Sequence, residues 1–527
     1  MRLFSDQEIG LRSLNFTGRR QNIFSETCTS SFSNPTCRAK LFHELGNWFF
    51  ERRKFPQSEH AYRSSLKNRP DWSETWNRLG VTVQHQNRGP EAEHIFRHVI
   101  ASAPEFVAAR NNLAMVLFNL ARVDEAERMC LELLCSNPDY VLAHNSLGLI
   151  FLGTGRLADA EAAFRRALDR DPIAPEIHNN LGNALTQQGR NGEAVDAYRQ
   201  ALSVRPDFAI ARMNLATELI RNGDFEQGWK LYEARFDVSA GGPPVPYPRW
   251  NGEPLAGKSL LVWPEQGYGD ILQFCRYLPL LKANGVGRVS FASPPQLHRL
   301  LDNMQGVDAV YSLNGKDKIL PHDYWCFIMS LPLLSGTTVE TIPASVPYIR
   351  APNELVRRWA ARLPAERFKV GIAWAGNPRQ HIPSWRAIDQ RRSMPLRSLL
   401  PLLRMSGVTF VSLQAGERAQ AQIDNLPPEL RPLDLMQDVE DFADTAAIIE
   451  CLDLVICVDT SIAHLAGALG KPVWILSRYD GCWRWFLDRD DSPWYPRMRL
   501  FRQRHHGDWD EVINRVTAAL IDQITKQ

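Results

Sequence analysis

Long apolar runs are scarce in this sequence. No stretch of 18 apolar residues occurs, so no membrane-spanning helix is expected. The most apolar region, towards the C-terminus, is interrupted by Asp459, His464 and Lys471. Residues Met1 to Arg20 hold no continuous apolar segment, which argues against a secretory leader. Charge of one sign is equally scarce. The 61 Lys and Arg against 59 Asp and Glu leave a formal net charge of +2, no electrostatic case for nucleic acid or an anionic membrane as main partner. The nine cysteines form no C-x-x-C pair, and several, such as Cys457, sit in apolar runs as small core residues. An odd count without framework spacing points to a reducing, cytoplasmic setting. Metal-ligand spacing is missing too. Asp488, Asp490 and Asp491 have Arg489 among them and no glycine turn, unlike a calcium loop, and His505 and His506 are adjacent rather than a helical turn apart. No G-x-x-x-x-G-K-[ST] phosphate loop and no G-x-S-x-G nucleophile turn is present, which sets aside two large enzyme classes.

What is present begins with a repeat. At 527 residues the chain is too long for one core, and two to four domains are expected. Pro70, Pro104, Pro138, Pro172 and Pro206 stand 34 residues apart. Gly46, Gly80, Ala114, Gly148, Gly182 and Ala216 keep the same step, as do Ala92, Ala126, Ala160 and Ala194. Tyr62, Phe96, Phe164, Tyr198 and Tyr232 share the register, with Cys130 the exception. Small residues let two antiparallel helices approach, the aromatic is expected to plug the gap to the next hairpin, and proline ends each unit because it cannot continue a helix interior. This is the tetratricopeptide signature, and the chain resembles that family over about 39–242, in six units. Ser58 and Gly228 replace the alanine in the end units, as caps do. Asn77, Asn111, Asn145 and Asn179 recur on the first helices. Their amides suit either a peptide backbone in a groove or a cross-link between neighbouring helices. Residues 1–38, rich in Ser, Thr and Asn, read as a flexible arm.

Composition shifts at 241–246, a Gly- and Pro-rich linker. Beyond it short apolar runs alternate with amphipathic stretches, the pattern of α/β domains with parallel strands. Strands are expected at 259–263, 289–292, 307–312 and 324–328, with helices at 271–283 and 296–303. After a break at 343–352 a second series follows: strands 369–374, 408–413, 454–458 and 473–476, and helices 396–405, 442–451, 462–469 and 508–524. Two such series suggest two doubly wound halves facing across a cleft.

Three constellations stand at strand ends. In Glu265-Gln266-Gly267-Tyr268-Gly269-Asp270, glycines permit close backbone approach to a ligand, and Asp270 is either a base for an attacking hydroxyl or a helix cap. In Asp459-Thr460-Ser461-Ile462-Ala463-His464, hydroxyls, first-turn N–H groups and an imidazole suit a diphosphate, or else describe a capped core helix with a satisfied histidine. The polar loop 376–393 carries Asn377, Arg391 and Arg392. It is either a cationic partner for a leaving diphosphate or a solvated surface loop.

The segments GYGDILQFCRY (267–277), GIAWAGN (371–377) and VDTSIAHLAGALGKP (458–472), with Trp483-Arg484-Trp485 and Ser492-Pro493-Trp494-Tyr495-Pro496, together resemble bacterial tetratricopeptide proteins with a C-terminal glycosyltransferase-like domain. That domain is similar to the lipopolysaccharide heptosyltransferase family. The resemblance implies a GT-B fold after the all-α repeats: an acceptor half at 258–352, a donor half at 353–527 and a linker at 243–257. It implies a nucleotide-sugar co-substrate, no other cofactor and no metal. The family's base falls on Asp270, and its D-T-x-x-x-H turn on Asp459, Thr460 and His464, with Ser461 inside it. Gln266, Gly267, Gly269 and Gln273 then belong to the acceptor loop. The family's lysine after the first strand of the donor half has no counterpart; Arg379, Arg386, Arg391 and Arg392 stand in that loop instead. The expected activity is metal-independent, inverting transfer of a sugar to an acceptor hydroxyl, with a protein or peptide held by the repeats as the candidate acceptor. The alternatives are a non-catalytic tetratricopeptide scaffold with a degenerate nucleotide-sugar site, and an epimerase acting on the donor alone.

Overall fold

The computed structural model describes residues 34–238, 242–302, 304–365, 367–377 and 389–526. Most of the expected arm 1–38 therefore lies outside the described residues, as do Arg379 and Arg386. The chain divides into two compact units, Met1–Pro172 and Ile173–Gln527.

The first unit holds four helical hairpins: Pro35–Glu51 with Phe55–Asn68, Ser73–His85 with Gly89–Ser102, Val107–Asn119 with Val123–Ser136, and Val141–Gly153 with Leu157–Leu168. Ala92, Ala126 and Ala160 are fully buried where paired helices touch. The aromatic of the repeat packs within its own hairpin. A Cβ on Gly46 would lie 2.5 Å from the Tyr62 ring, on Gly80 2.6 Å from Phe96, and on Gly148 2.5 Å from Phe164. Each ring lies against the glycine of its own hairpin, because antiparallel pairing brings residues 16 apart to one level. The register also carries an arginine ladder. Arg88, Arg122 and Arg156 precede the second helices, and each joins an acid one turn on to one in the preceding hairpin, Glu59, Glu93 and Glu127 respectively.

The second unit opens with two more hairpins, Pro175–Gln187 with Asn191–Val204 and Ala209–Arg221 with Phe225–Tyr232. Two sheets follow, whose named strands pair in parallel throughout, with single antiparallel bridges at Ala256–Val286 and Asp491–Arg499. The first has β1 (Ser259–Trp263), β2 (Arg288–Ser293), β3 (Ala309–Ser312) and β4 (Tyr324–Phe327), in the order β3-β2-β1-β4. The second has β5 (Phe368–Ala373), β6 (Val408–Ser412), β7 (Leu433–Asp434), β8 (Leu454–Val458), β9 (Val473–Ser477) and β10 (Met498–Arg502), in the order β10-β9-β8-β5-β6-β7. Crossover helices between parallel strands cover both faces, which is why β8 and β9 are buried along their whole length.

Two expected helices are broken. The stretch 271–283 is a helix Tyr268–Phe274, a tight turn Cys275–Tyr277 and a second helix Leu278–Ala283. Likewise 396–405 is a tight turn Leu396–Leu399 followed by the helix Leu400–Leu403. Pro279 and Pro401 sit at the start of each second piece, where a missing N–H costs nothing. The edge strands β7 and β10 are additions to the expected pattern, one two residues long and the other interrupted by Arg499.

The last hairpin shares its core with the sheets. Ile220, Phe225, Trp229 and Tyr232 belong to one buried cluster with Phe274, Trp483, Trp485 and Trp494. Trp229 meets Phe274 and Trp483 edge-on, at 6.0 and 5.6 Å between ring centres. Just beyond, the buried Arg235 holds Glu265 through two hydrogen bonds, of 2.8 and 3.0 Å, and pairs with Glu233 and Ser330.

Candidate functional site

The loop after β1 turns on Gln266, whose φ of +64° lies in the left-handed region that side chains seldom occupy. Gly267 then caps the helix Tyr268–Phe274. The Gly267 N–H donates to Asp270 Oδ2 at 2.8 Å, so Asp270 does act as a cap. Its other oxygen, Oδ1, pairs with the Arg484 guanidinium.

The turn after β8 starts the helix Ser461–Ala468. Thr460 is its cap, with Oγ1 accepting from the Ile462 N–H at 3.3 Å. His464 is buried, its ring stacked on Trp485 at 5.3 Å and its Nδ1 3.0 Å from the Tyr495 hydroxyl. Burial, then the nearby Arg484 cation, pushes its pKa down to about 3, so the imidazole is neutral. These two loops meet. A Cβ on Gly269 would lie 2.9 Å from His464 Cδ2 and 3.5 Å from Ser461 Cα. Glycine at 269 is thus what lets the first sheet's loop close on the second sheet's turn.

The loop after β5 arrives at the same place. Gln414 Oε1 accepts from the N–H groups of Trp374 and Ala375, and Ser393 Oγ accepts from that of Gly376. The Arg392 guanidinium packs against Gly376 where any side chain would intrude. It donates to the Asp459 carbonyl at 3.2 Å and to Asp389 at 3.0 Å. Arg391 turns away to the buried Asp480, which also accepts from Arg478. Burial lowers the Arg391 pKa while Asp480 opposes it. Arg392, rather than Arg391, therefore borders the Asp459–Thr460 turn, and Asn377 is exposed beside it.

Other expected site residues lie elsewhere. Gln273 is fully buried and gives its Oε1 to Arg484, so it lines no cleft. Asn77 and Asn179 are buried and accept from Asn112 and Asn214, at 2.9 and 2.8 Å. At these two positions the structure has the helix cross-link. Asn111 is also buried and Asn145 half-buried. Arg484, Gln414 and Tyr495 escaped the sequence as site residues. Their partners Asp270, Ala375 and His464 stand 214, 39 and 31 residues away, beyond any local spacing rule. Among the described residues no group of three His, Cys, Asp or Glu is placed to hold a metal ion, and no helix is long and apolar enough to cross a membrane.

Comparison with known proteins adds the following. Residues 402–477 match the model of glycosyltransferase family 9 (heptosyltransferase). Residues 84–141, 113–175, 145–207 and 179–235 match the tetratricopeptide repeat. Protein FlbA of Caulobacter vibrioides is 29% identical over 346 residues, 60% of this chain and 56% of that protein, so the chain spans little more than half of this relative. Among solved structures, a thermophilic tetratricopeptide protein of Thermus thermophilus is 22% identical over 34% of this chain and 99% of its own, at a TM-score of 0.33. PilF of Pseudomonas aeruginosa is 18% identical over 39% of this chain and 93% of its own, at 0.31.

Proposed function

We propose that this chain, which carries tetratricopeptide repeats and a C-terminal glycosyltransferase family 9 (heptosyltransferase) region, transfers a sugar from a nucleotide-sugar donor to an acceptor hydroxyl with inversion. The observation that carries the reading is the approach of Gly269 to His464, which brings the Asp270 loop and the Thr460 turn together at the carboxyl ends of β1 and β8. The two sheets then serve as the halves of a GT-B fold, acceptor on the first and donor on the second.

In this reading the donor diphosphate lies at the N-terminus of the helix Ser461–Ala468, held by the Ser461 N–H and the Thr460 and Ser461 hydroxyls. His464 is neutral across working pH. In the tautomer whose Nδ1 accepts from the Tyr495 hydroxyl, 3.0 Å away, Nε2 carries the proton and can donate to a phosphate oxygen. The acceptor oxygen attacks the anomeric carbon from the face opposite the diphosphate. The carbon–oxygen bond to the diphosphate breaks, and the acceptor proton passes to Asp270. Arg392 and the helix terminus meet the charge left on the leaving group, so the step calls for no metal. The repeats offer a surface for a protein acceptor.

A second reading rests on one observation. Both oxygens of Asp270 already hold partners, as in a structural ion pair. The protein would then bind nucleotide without turnover and act through its repeats.

Thermal shift against a panel of nucleoside diphosphates and nucleotide sugars tests the donor site. A ligand at about 100 times its Kd stabilises the folded state by about 2.7 kcal/mol. A shift for one nucleotide that disappears in Thr460→Ala/His464→Ala supports the site. No shift for any nucleotide, in well-folded protein, removes it. Release of nucleoside diphosphate from the donor so found then separates transferase from scaffold.

A further inference from the structure

Arg484 belongs to the turn Trp483–Trp485 that follows β9, yet its guanidinium serves the loop of the other sheet. One terminal nitrogen pairs with Asp270 Oδ1, Nε donates to Gln273 Oε1 at 2.8 Å, and Nη1 lies 3.1 Å from Cys482 Sγ. The guanidinium rests 4.1 Å from the Trp483 ring centre, and the side chain is 13% exposed. Burial alone works to strip such a cation of its charge. Asp270 opposes this, and the net shift of its pKa is upward. Removing one member of a pair this deep leaves the other buried and unpaired.

The turn is gripped on two sides. Trp483 packs edge-on against Trp229 of the last hairpin and in parallel with Phe274 at 6.4 Å. Trp485 stacks on His464 at 5.3 Å. Arg484 therefore stands between a residue of the repeats and a residue of the Thr460–His464 turn, with Asp270 under its guanidinium. A carboxylate oxygen has two lone pairs. With one on Oδ1 fixed by Arg484 and one on Oδ2 by the Gly267 N–H, the remaining pairs point in set directions.

We infer that Arg484 is the residue that positions Asp270 for proton abstraction, and that Trp229 of the last helical hairpin holds Arg484 in place. The inference rests on the transfer reading above. It makes the end of the repeat array a part of the reaction machinery, through the chain Trp229, Trp483, Arg484, Asp270.

The test uses the full chain and follows release of UDP, GDP or ADP from the corresponding nucleotide sugars. Arg484→Lys keeps a charge but loses the planar fork, and should lower kcat about 100-fold with the donor KM unchanged, the scale of an ångström of misplacement. Arg484→Ala should recover part of its rate in millimolar guanidinium. In the otherwise unaltered chain Trp229→Leu should lower kcat about 10-fold with the same unchanged KM, and in an Asp270→Asn background neither Arg484→Ala nor Trp229→Leu should cost more. Wild-type kcat in Arg484→Lys, or a full additional loss on top of Asp270→Asn, overturns the inference while leaving transfer intact. Absence of nucleotide release by the unaltered chain from every donor sinks the transfer reading, and this inference with it. Equal unfolding midpoints for the Arg484→Lys and unaltered chains keep a folding defect out of the comparison.

Discussion

A buried neutral histidine makes stability depend on acid through the unfolded chain rather than the folded one. The folded His464 has its pKa pushed down to about 3, against 6.5 when unfolded. Above 6.5 neither state binds the proton, and His464 imposes no penalty. Between 6.5 and 3 only the unfolded chain binds it, so stability falls as pH falls. By about pH 5 the loss is about 2 kcal/mol. Urea midpoints at about pH 7.5 and about pH 5 should separate more for the unaltered chain than for His464→Asn; equal separations would put the acid sensitivity elsewhere. The same residue scale carries the sharpest catalytic expectation. Asp270→Asn should lower nucleotide release about 100- to 10,000-fold with donor binding intact by thermal shift. The capping roles of Asp270 and Thr460 and the burial of His464 were legible because each sits in a short strand–turn–helix motif. Arg484 was not, since an arginine between two tryptophans reads as core packing until its partner 214 residues earlier is seen.

At the level of elements, the repeat was readable almost whole, because each 34-residue unit solves the same packing problem. What the pattern left unsaid was which surface each aromatic fills. The exception in the register explains itself once the glycine contacts are known. Ala114 replaces the glycine in the third hairpin, and the residue opposite is Cys130, smaller than the rings elsewhere. In the third hairpin volume is traded across the helix pair, whereas the sixth keeps Ala216 with Tyr232 and has Gly228 in place of the alanine. Gly148→Ala alone should therefore destabilise by about 1–3 kcal/mol by crowding Phe164, whereas Gly148→Ala/Phe164→Cys should cost less than the sum of its parts. Denaturant unfolding of the three variants measures the coupling, and strict additivity would mean that the ring does not set the limit. The arginine ladder, half open to solvent, should matter far less, and unfolding in high salt should barely register it. Helix 271–283 was misread for a plain reason: its apolar periodicity runs straight through Pro279, while the backbone does not.

The whole molecule divides where the sequence pattern does not. The 34-residue register continues smoothly through Pro172, yet the compact units part there and the last two hairpins fold with the sheets. Periodicity reports the helices' shape; it says nothing about which neighbours bury their outer faces. Trp229, 2% exposed, lies in the same core as Phe274 and Trp483, and Trp229→Ala should cost about 3–5 kcal/mol. A fragment of residues 173–527 should unfold in one cooperative transition and keep the nucleotide response of the full chain. A fragment starting at 242 uncovers Trp483, Phe486 and Phe274 and should bind a hydrophobic dye or fail to stay in solution. Hydrogen exchange on the full chain checks the same point: protection of the helix Phe225–Tyr232 should follow that of β1, and protection matching the helix Val107–Asn119 instead would deny the shared core.

Tandem arrays change length readily when like units are interchangeable. The grip of Arg235 on Glu233 and Glu265 makes the final unit unlike the others, since its exit is tied to the strand loop that carries Gln266 and Asp270. A duplication or deletion within the first unit meets only other hairpins of the same register. One placed between Arg235 and Glu265 would pull the cation off Glu265 and leave that buried carboxylate unpaired. Variation in the number of repeats should therefore fall on the upstream side, with related chains differing in length there while keeping the last two hairpins as a fixed suffix.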